Sequence, residues 1–304
     1  CIKHPQSPIL PAMISILRRL RPLSPLPVLI LALGFLPLDS SLAGLGTELE
    51  VEIETYVKSL RRKGGVRGDE RTAWVVYDIT SNTKLASINE NSSLQAASMI
   101  KPYVALAFFH QVKAGKLHYG PTSRKHMELM IQKSSNTSTN WVMKQTGGPA
   151  ATRALLKRYY PSLCNQLHLV EYIPSSGRTY LNRLSAGDYA RFLTSMWKDQ
   201  LPSSREMKRL MALPGRDRLY SSAKRVPTGT KVYNKTGSTA MCCGDMGILV
   251  ARGSKGQPYP YIIIGIIESG SRNKSYGPWI RSRGNIIREV SNKTYLAIQK
   301  RYSL

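Results

Sequence analysis

The alternation of apolar and polar positions divides the chain into helices and strands. Residues 47–63 predict a surface helix, because acidic side chains gather at its start and basic ones at its end, which suits the helix dipole. Residues 73–79 and 84–88 are short apolar runs that predict two strands joined by a tight turn. Residues 98–112 then predict a long apolar helix.

The second part of the chain is first helical and then strand-rich. Residues 123–212 are mainly helical in pattern, and Ser185 begins a capped amphipathic segment within them. Three strands and a final helix follow at 231–234, 246–251, 261–268 and 278–301. This order predicts an α+β protein in which an antiparallel five-stranded sheet, built from both ends of the chain, is flanked by terminal helices and carries an inserted helical lobe.

The N-terminal segment has the pattern of a secretory signal peptide over residues 13–43. Arginines precede an apolar stretch at 27–38, and small residues lie at 41–43, the positions that signal peptidase reads. An uncleaved membrane anchor is the alternative, but the apolar stretch is shorter than the roughly 20 residues that a span needs. We therefore expect residues 1–43 to be an extension and signal peptide, and the mature protein to be periplasmic or secreted.

The composition is that of a folded but strongly basic protein. Of the 304 residues, 42% are hydrophobic, enough for a sizeable core, and the net charge is +26. Such an excess indicates a polyanionic partner or, alternatively, only a solubilising surface. No nucleic-acid motif is present and the basic residues are scattered, so we expect no nucleic acid partner. For an exported protein, anionic cell-wall polymers and anionic lipid surfaces are the candidate polyanions.

Cysteine and histidine usage gives no sign of a cofactor. Export permits a disulfide, and adjacent cysteines rarely pair, so Cys164 is predicted to pair with Cys242 or Cys243. The other candidate ligands are three histidines whose spacing of eight is not that of zinc ligands on a helix: His110, His118 and His126. We therefore expect no metal and no cofactor.

Three short motifs carry the candidate chemistry. They are S-x-x-K at Ser98 and Lys101, S-x-N at Ser134 and Asn136, and K-T-G beginning at Lys235. S-x-x-K alone is weak, because the chain contains five matches. The match at Ser98 differs from the others because it opens a long apolar helix directly after two strands. The positive end of the helix dipole favours a nucleophile there, and a spacing of three puts both side chains on one face.

The three motifs stand in the order used by serine β-lactamases and penicillin-binding proteins. The stretch SSNTSTN at 134–140 also resembles the SDNTxxN stretch of class A β-lactamases. The resemblance covers most of the chain after the leader. It implies a β-lactamase/transpeptidase-like domain over 44–304, with a sheet lobe at 44–97 and 225–304 and a helical lobe at 98–224. It also implies chemistry on a β-lactam or on the acyl-D-alanyl amide of a peptidoglycan peptide.

The resemblance assigns catalytic roles that match physical need. A serine hydroxyl is a weak nucleophile, so Ser98 requires a base, and Lys101 serves if neighbouring positive charge keeps it partly neutral. Ser134 passes a proton to the leaving nitrogen, and Asn136 orients the substrate amide. Ordinary helix capping is the alternative role for Ser134 and Asn136.

The K-T-G strand is the expected substrate-binding edge. Lys235 supplies positive potential, Thr236 donates to the substrate carboxylate, and Gly237 and Ser238 complete the binding strand. The oxyanion is expected between the backbone N–H groups of Ser98 and Ser238.

The sequence departs from the class A pattern in three places. Class A enzymes carry an E-x-x-L-N loop whose Glu activates water for deacylation. Glu171 is the nearest candidate, but the Leu and Asn are missing. The stretch between the first two motifs is shorter, which predicts a more open cleft. No Arg closely follows K-T-G, which leaves Arg216, Arg281 or Arg283 as substitutes for binding a carboxylate.

Three functions are compatible with these features. The first, which the overall motif resemblance favours and which is our main expectation, is a β-lactamase that hydrolyses its acyl-enzyme rapidly. The second is a D-alanyl-D-alanine peptidase or transpeptidase that penicillin inhibits, which the open cleft, the positive charge and the missing loop pair favour. The third is a non-catalytic peptidoglycan-binding relative, against which the intact Ser98, Lys101 and Lys235 argue.

Overall fold

A computed structural model describes residues 40–174 and 181–304 of the chain, with side chains from residue 48 onward. The predicted leader up to residue 39 therefore lies outside the described residues, and the first helix, α1, runs from Ser40 to Arg62. None of the described helices is long and apolar enough to cross a membrane.

The described chain contains a five-stranded antiparallel sheet and eight α-helices. The strands of the sheet are β1 (Arg71–Asp78), β2 (Thr83–Ile88), β5 (Lys231–Ser238), β6 (Cys242–Arg252) and β7 (Pro258–Glu268), in the spatial order β2-β1-β7-β6-β5. Strands from both ends of the chain pair in the centre, where Trp74 of β1 lies opposite Gly265 of β7. The predicted fold class is confirmed.

The helices between the two groups of strands form the inserted lobe. They are α2 (Lys101–Lys113), α3 (Pro121–Ile131), α4 (Asn136–Gln145), α5 (Gly148–Tyr159), α6 (Ala186–Trp197) and α7 (Ser204–Met211). Two short strands, β3 (Leu94–Gln95) before the lobe and β4 (Arg183–Leu184) within it, pair as an antiparallel two-stranded ribbon. The C-terminal helix α8 spans Tyr276–Tyr302 and contacts α1.

The sheet is buried on both faces, which explains its nearly continuous apolar strands. Successive side chains of a strand point to opposite faces. In β7, Ile262 and Ile264 accordingly belong to the core shared with the helical lobe, while Tyr261 and Ile263 belong to the core shared with α1 and α8. Gly265 is required where the sheet meets a large ring, because a Cβ there would lie 2.5 Å from Trp74 Cζ3.

The predicted disulfide is wrong. Cys164, Cys242 and Cys243 are all free and buried. Cys242 and Cys243 are neighbours on β6, so their side chains point into the two different cores, and neither pairs with Cys164 of the helical lobe. Burial raises the pKa of the Cys164 thiol to about 12 and that of Cys243 to about 11, which leaves both thiols protonated and unreactive.

Candidate active site

Ser98 lies in a 3₁₀ turn, Ala97–Ile100, that precedes α2. The sequence predicted that the helix itself would begin at Ser98, but α2 begins at Lys101, whose N–H donates to the Ser98 carbonyl in the 3₁₀ pattern. Side chains three apart eclipse in a 3₁₀ helix, so Ser98 and Lys101 share a face as expected. Ala97 has φ 45°, a conformation that is costly for a residue with a Cβ and that the surrounding packing maintains.

Lys101 is fully buried, and its amine contacts the second motif directly. Nζ lies 2.6 Å from the Ser134 carbonyl oxygen, 3.0 Å from Ser134 Oγ and 3.0 Å from Asn136 Oδ1. Burial, and secondarily the charge of Lys235, lowers the pKa of Lys101 to about 6. At neutral pH the amine is therefore mostly unprotonated, which is the state that a base for Ser98 requires.

The second motif is not a helix cap. Ser135, and not Ser134 or Asn136, is the N-cap of α4, and its Oγ accepts from the Ser138 N–H at 3.1 Å. Ser134 has φ 56°, in the left-handed region, and its hydroxyl lies between the two lysine amines of the site. Ser134 is thus positioned to relay a proton between Lys101 and Lys235.

Lys235 lies on β5 and is almost fully buried. Its Nζ donates to Ser134 Oγ at 3.1 Å and to the Thr236 carbonyl at 3.2 Å. Burial lowers the pKa of Lys235 to about 8, with Arg218 and Arg216 acting in the same direction and Asp245 opposing them. Lys235 is therefore predominantly cationic at pH 7, while Lys101 is predominantly neutral.

Gly237 and Gly244 allow the turn carrying Ser98 to pack on the sheet. They face each other across β5 and β6, and a Cβ on Gly237 would lie 3.0 Å from Met99 Cγ. A Cβ on Gly244 would lie 2.6 Å from Met99 Cε. The close approach places Ser98 beside the K-T-G strand. The predicted substrate-binding role of Gly237 remains a prediction.

Arg218 is a site residue that the sequence analysis missed. Its guanidinium donates to Ser238 Oγ at 2.7 Å and to the Gly244 carbonyl at 2.8 Å, at the end of the K-T-G strand. No sequence motif marks it, because it precedes K-T-G by many residues. Of the three arginines named from the sequence, Arg216 lines the cleft, whereas Arg283 is buried against Glu70. Arg281 is not among the residues that line the cleft.

Asp245 anchors the loop that supplies Arg218. It is fully buried on β6, opposite Thr236, and accepts from the Arg218 backbone N–H at 2.6 Å and from Asn234 Nδ2 at 2.9 Å. Burial raises the pKa of Asp245 to about 6, although Arg218, Asn234 and the backbone hydrogen bond oppose the shift.

These elements surround a cleft of about 530 Å³. Among the described residues that line it, three are cations and none is an Asp or a Glu. The predicted site residues Ser98, Ser134, Asn136, Lys235, Thr236 and Ser238 all line it. The cleft also has an apolar wall: Ile131, Ile173, Leu210, Met211, Leu213 and Pro214. Ser98 and Ser238 thus meet in one cleft, as the predicted oxyanion site requires.

Glu171 is not among the residues that line the cleft. It lies on the loop between α5 and α6, half-buried, and its Oε1 accepts from the backbone N–H of Leu181 at 3.4 Å. Asn182, which is fully buried, accepts from the Glu171 N–H and donates to the Glu171 carbonyl. The predicted role of Glu171 as deacylating base stays a prediction, and its position offers that role no support.

Ile173 is the residue of this loop that reaches the cleft. Of the described residues between α5 and α6, it alone lines the cleft, and two asparagine side chains of α4 hold its segment. Asn140 binds the Ile173 main chain, and Asn136 Nδ2 donates to the Pro174 carbonyl at 3.3 Å. Glu171 is the only carboxylate in the sequence of the loop from 164 to 185. The described part of this loop therefore presents an apolar side chain, and no carboxylate, to the cleft.

No metal site accompanies this cleft in the part of the chain that is described. No group of three or more His, Cys, Asp or Glu residues there could hold a metal ion.

Comparisons with known proteins find the same fold in several solved structures. PBP-A is 20% identical to this chain, with a TM-score of 0.66, and the match covers 84% of this chain and 97% of PBP-A. One of the PBP-A structures is a Leu-to-Glu mutant in an acyl-enzyme complex with penicillin G. The β-lactamase from Streptosporangium roseum is 16% identical with a TM-score of 0.63, covering 84% of this chain and 99% of that one.

A variant of the class A β-lactamase of the last common ancestor of Gram-negative bacteria is 19% identical, with a TM-score of 0.63 and the same coverage. None of the curated protein sequences matches the chain. At these identities the structural likeness shows the fold. The model of the β-lactamase enzyme family, however, matches residues 53–122 and 120–295. The chain therefore belongs to the β-lactamase enzyme family, as a serine hydrolase of that family.

Proposed function

We propose that Ser98 forms an acyl-enzyme with β-lactams and with acyl-D-alanyl peptides, and that the protein is a D-alanyl peptidase rather than a fast β-lactamase. The observation that supports a peptidase over a fast β-lactamase is the position of Ile173, which lines the cleft, whereas Glu171 does not. Rapid hydrolysis of a penicilloyl ester needs a general base within hydrogen-bond reach of the attacking water. The described part of the cleft offers no carboxylate for that purpose.

Acylation follows from the arrangement of the lysines. Neutral Lys101 takes the proton of Ser98 Oγ as the oxygen attacks the substrate carbonyl carbon. The C–N bond then breaks, and the leaving nitrogen takes a proton that Ser134 relays. The backbone N–H groups of Ser98 and Ser238 stabilise the oxyanion.

Deacylation distinguishes a peptide from a penicillin. After a peptide has reacted, the D-alanine amine diffuses away, and a water molecule can take its place beside Lys101 and Ser134. After a penicillin has reacted, the leaving nitrogen stays attached through the fused ring and keeps that place occupied. A site without an additional base therefore releases a peptide acyl group while it retains a penicilloyl group.

The charge of the cleft favours an anionic substrate. Lys133 and Arg216 line it together with Lys235, and neither Lys133 nor Arg216 forms an ion pair with a described residue. The two lie on adjoining segments, since Gln132 Nε2 donates to the Pro214 carbonyl at 3.0 Å. Both β-lactams and D-alanyl peptides carry a carboxylate next to the scissile amide. This common feature fits Lys235, Thr236 and the Ser238–Arg218 pair.

The test measures acylation and deacylation separately. We expect intact-protein mass spectrometry to show a stable penicillin adduct that Ser98→Ala abolishes, and a D-alanyl-D-alanine peptide to be cleaved with multiple turnovers. Glu171→Gln should leave both rates unchanged. Fast penicillin turnover that Glu171→Gln abolishes would make the protein a β-lactamase. Absence of any adduct with several β-lactams would overturn the acyl-enzyme assignment.

We further propose that the protein is exported and acts outside the cytoplasm. The support is the basic, apolar and small-residue pattern that ends at Ala43. Mass spectrometry of the mature protein is expected to find its N-terminus near Gly44. An intact 13–43 segment on extracellular or periplasmic material would contradict the predicted cleavage.

A further inference from the structure

Much of the helical lobe is rich in cations and poor in carboxylates. Between residues 91 and 170 the sequence contains one acidic residue, Glu128, and Arg209 and Arg124 engage its carboxylate at 2.7 and 3.9 Å. The cations near α1 are arranged differently. Lys293 of α8, for example, pairs with Glu52 of α1 at 2.8 Å. The lobe therefore leaves its cations available to a ligand.

One group of these residues forms a continuous patch where α2 and α5 end. The patch consists of His110, Lys113, Lys116, Arg158 and Tyr159. The rings of His110 and Tyr159 lie 4.2 Å apart, and the Arg158 guanidinium lies over the Tyr159 ring at 5.4 Å from its centroid. Lys113 and Lys116 are close enough to His110 to lower its pKa, in addition to the larger effect of its partial burial.

The patch is exposed and separate from the cleft. Lys113, Lys116 and Arg158 are exposed, and none forms an ion pair with a described residue. Tyr159 is 51% exposed, so its ring is accessible to a ligand. None of the five residues lines the cleft. Tyr159 contacts both His110 and Arg158, so its ring joins the imidazole and the guanidinium in one patch.

We propose that this α2–α5 patch binds a linear polyanion of the cell-wall type, a polymer with repeated phosphate or carboxylate groups and no bases. Three cations and a phenol hydroxyl match a chain that presents several anions in sequence. The Tyr159 ring is engaged by Arg158 and His110, so it is not a free platform for stacking nucleobases. The choice of a wall polymer rests on the proposed function, because D-alanyl peptides are cell-wall components.

The experiment measures binding of full-length protein to soluble polymers at fixed ionic strength. The probes are poly(glycerol phosphate) for phosphate, polygalacturonate for carboxylate, dextran as a neutral control, and a single-stranded oligonucleotide of matched charge. The triple variant Lys113→Gln/Lys116→Gln/Arg158→Gln should bind at least one of the two wall-type polymers about tenfold more weakly, given the modest contribution of each exposed ion pair. Dextran should not bind.

A matched control removes the same charge from elsewhere on the surface. Lys224, Arg225 and Lys255 are exposed and form no ion pair with a described residue, so their triple Gln variant should bind the polymers almost as well as the parent. An equal loss of polymer affinity in both triple variants would show that only net charge matters, and it would overturn the proposed binding site. Tighter binding of the oligonucleotide than of either polymer, lost in the patch variant, would also overturn the proposal.

Acylation by penicillin separates this inference from the proposed function. The patch variant should be acylated at the parental rate, because its residues do not line the cleft. If the protein is acylated but binds no polymer, the patch proposal alone fails. If it binds polymer through the patch but forms no acyl-enzyme, the proposed function fails and the patch stands as a binding site.

Discussion

Asn140 holds the main chain of Ile173 at two points. Its Nδ2 donates to the Ile173 carbonyl at 2.6 Å, and its Oδ1 accepts from the Ile173 N–H at 2.8 Å. Because both bonds involve the backbone, a different side chain at position 173 leaves them intact. A substitution at position 173 therefore keeps these two bonds, although it replaces a side chain that is 2% exposed and packs in the core shared with the helical lobe.

The first prediction uses this fixed position to add a base. Ile173→Glu should place a carboxylate in the cleft near Ser134 and Asn136, and accelerate penicilloyl-enzyme hydrolysis by about 100-fold, the low end of the effect of a general base. The measurement is the decay of the penicillin adduct by mass spectrometry. Val170→Glu is the matched control, since Val170 is on the same loop, is 44% exposed and does not line the cleft. Equal acceleration by both variants would refute the role of position 173.

The second prediction concerns the acidic side of the pH profile. Burial and the charge of Lys235 lower the pKa of Lys101 to about 6, and only the neutral amine can take the proton of Ser98. The second-order rate constant for penicillin acylation should therefore rise about tenfold for each pH unit below 6 and level off above it. Lys101→Ala should abolish acylation at saturating substrate. An acylation rate that is flat between pH 5 and 7, or a Lys101→Ala variant that still acylates, would contradict the assignment of Lys101 as base.

The third prediction concerns the alkaline side. Burial lowers the pKa of Lys235 to about 8, so its attraction for a substrate carboxylate should weaken as the pH rises through that value. Lys235→Arg keeps the positive charge at all accessible pH values. The alkaline limb of the pH profile of penicillin acylation should therefore shift to higher pH, while its acidic limb stays unchanged. Lys235→Ala should impair penicillin more than a neutral ester substrate. Equal impairment of both substrates would rule out recognition of the carboxylate by Lys235.

The fourth prediction tests the packing of the nucleophile turn. Gly244→Ala places a methyl group 2.6 Å from Met99 Cε and should destabilise the protein by about 1–3 kcal/mol while slowing acylation, because the turn carrying Ser98 must move. Met99→Ala should itself cost about 2–5 kcal/mol by leaving a cavity. Combined, the two changes should cost less than their sum, since the methyl group occupies space that Met99 has vacated. Strict additivity in urea denaturation would show that the two residues do not contact.

The fifth prediction concerns a buried ion pair far from the chemistry. Arg283 donates to both carboxylate oxygens of Glu70, at 2.9 and 2.6 Å, and Trp279 Nε1 donates to one of them at 2.6 Å. Removing one partner of such a pair leaves a buried charge, so Glu70→Ala should lower the free energy of unfolding by about 3–5 kcal/mol. The exposed pair of Glu54 with Lys58 provides the control, and Glu54→Ala should cost at most about 1 kcal/mol. If chemical denaturation showed that Glu70→Ala and Glu54→Ala lower the free energy of unfolding by similar amounts, the expected effect of burial would be contradicted.

The pH dependence of this pair has a defined sign. Burial alone would raise the pKa of Glu70, but the hydrogen bonds from Arg283 and Trp279 outweigh it and hold the pKa below its usual value. The stabilisation is therefore present above the pKa of the unfolded chain and is lost as the pH falls through the folded value. Comparison of the parent with Glu70→Gln should show a difference in stability at pH 7 that narrows in acid.

The sequence by itself determined the features that depend on short spacing. Short apolar runs bounded by turn residues marked strands of the sheet, and the three-residue spacing of Ser98 and Lys101 put them on one face even though the turn is 3₁₀. The motif order also identified Ser134, Asn136, Lys235, Thr236 and Ser238, all of which line the cleft. These features are local, so each short segment of sequence contains the information that specifies them.

Only the tertiary structure decided which groups from distant segments meet. Arg218 contacts Ser238, Asp245 anchors the Arg218 loop, and Ile173 reaches the cleft while Glu171 lies aside. The burial that lowers the pKa of Lys101 also requires the packed lobe. The three cysteines remain free, and β6 directs Cys242 and Cys243 into opposite cores. No periodicity encodes such contacts, because they arise where the sheet and the helical lobe pack against each other.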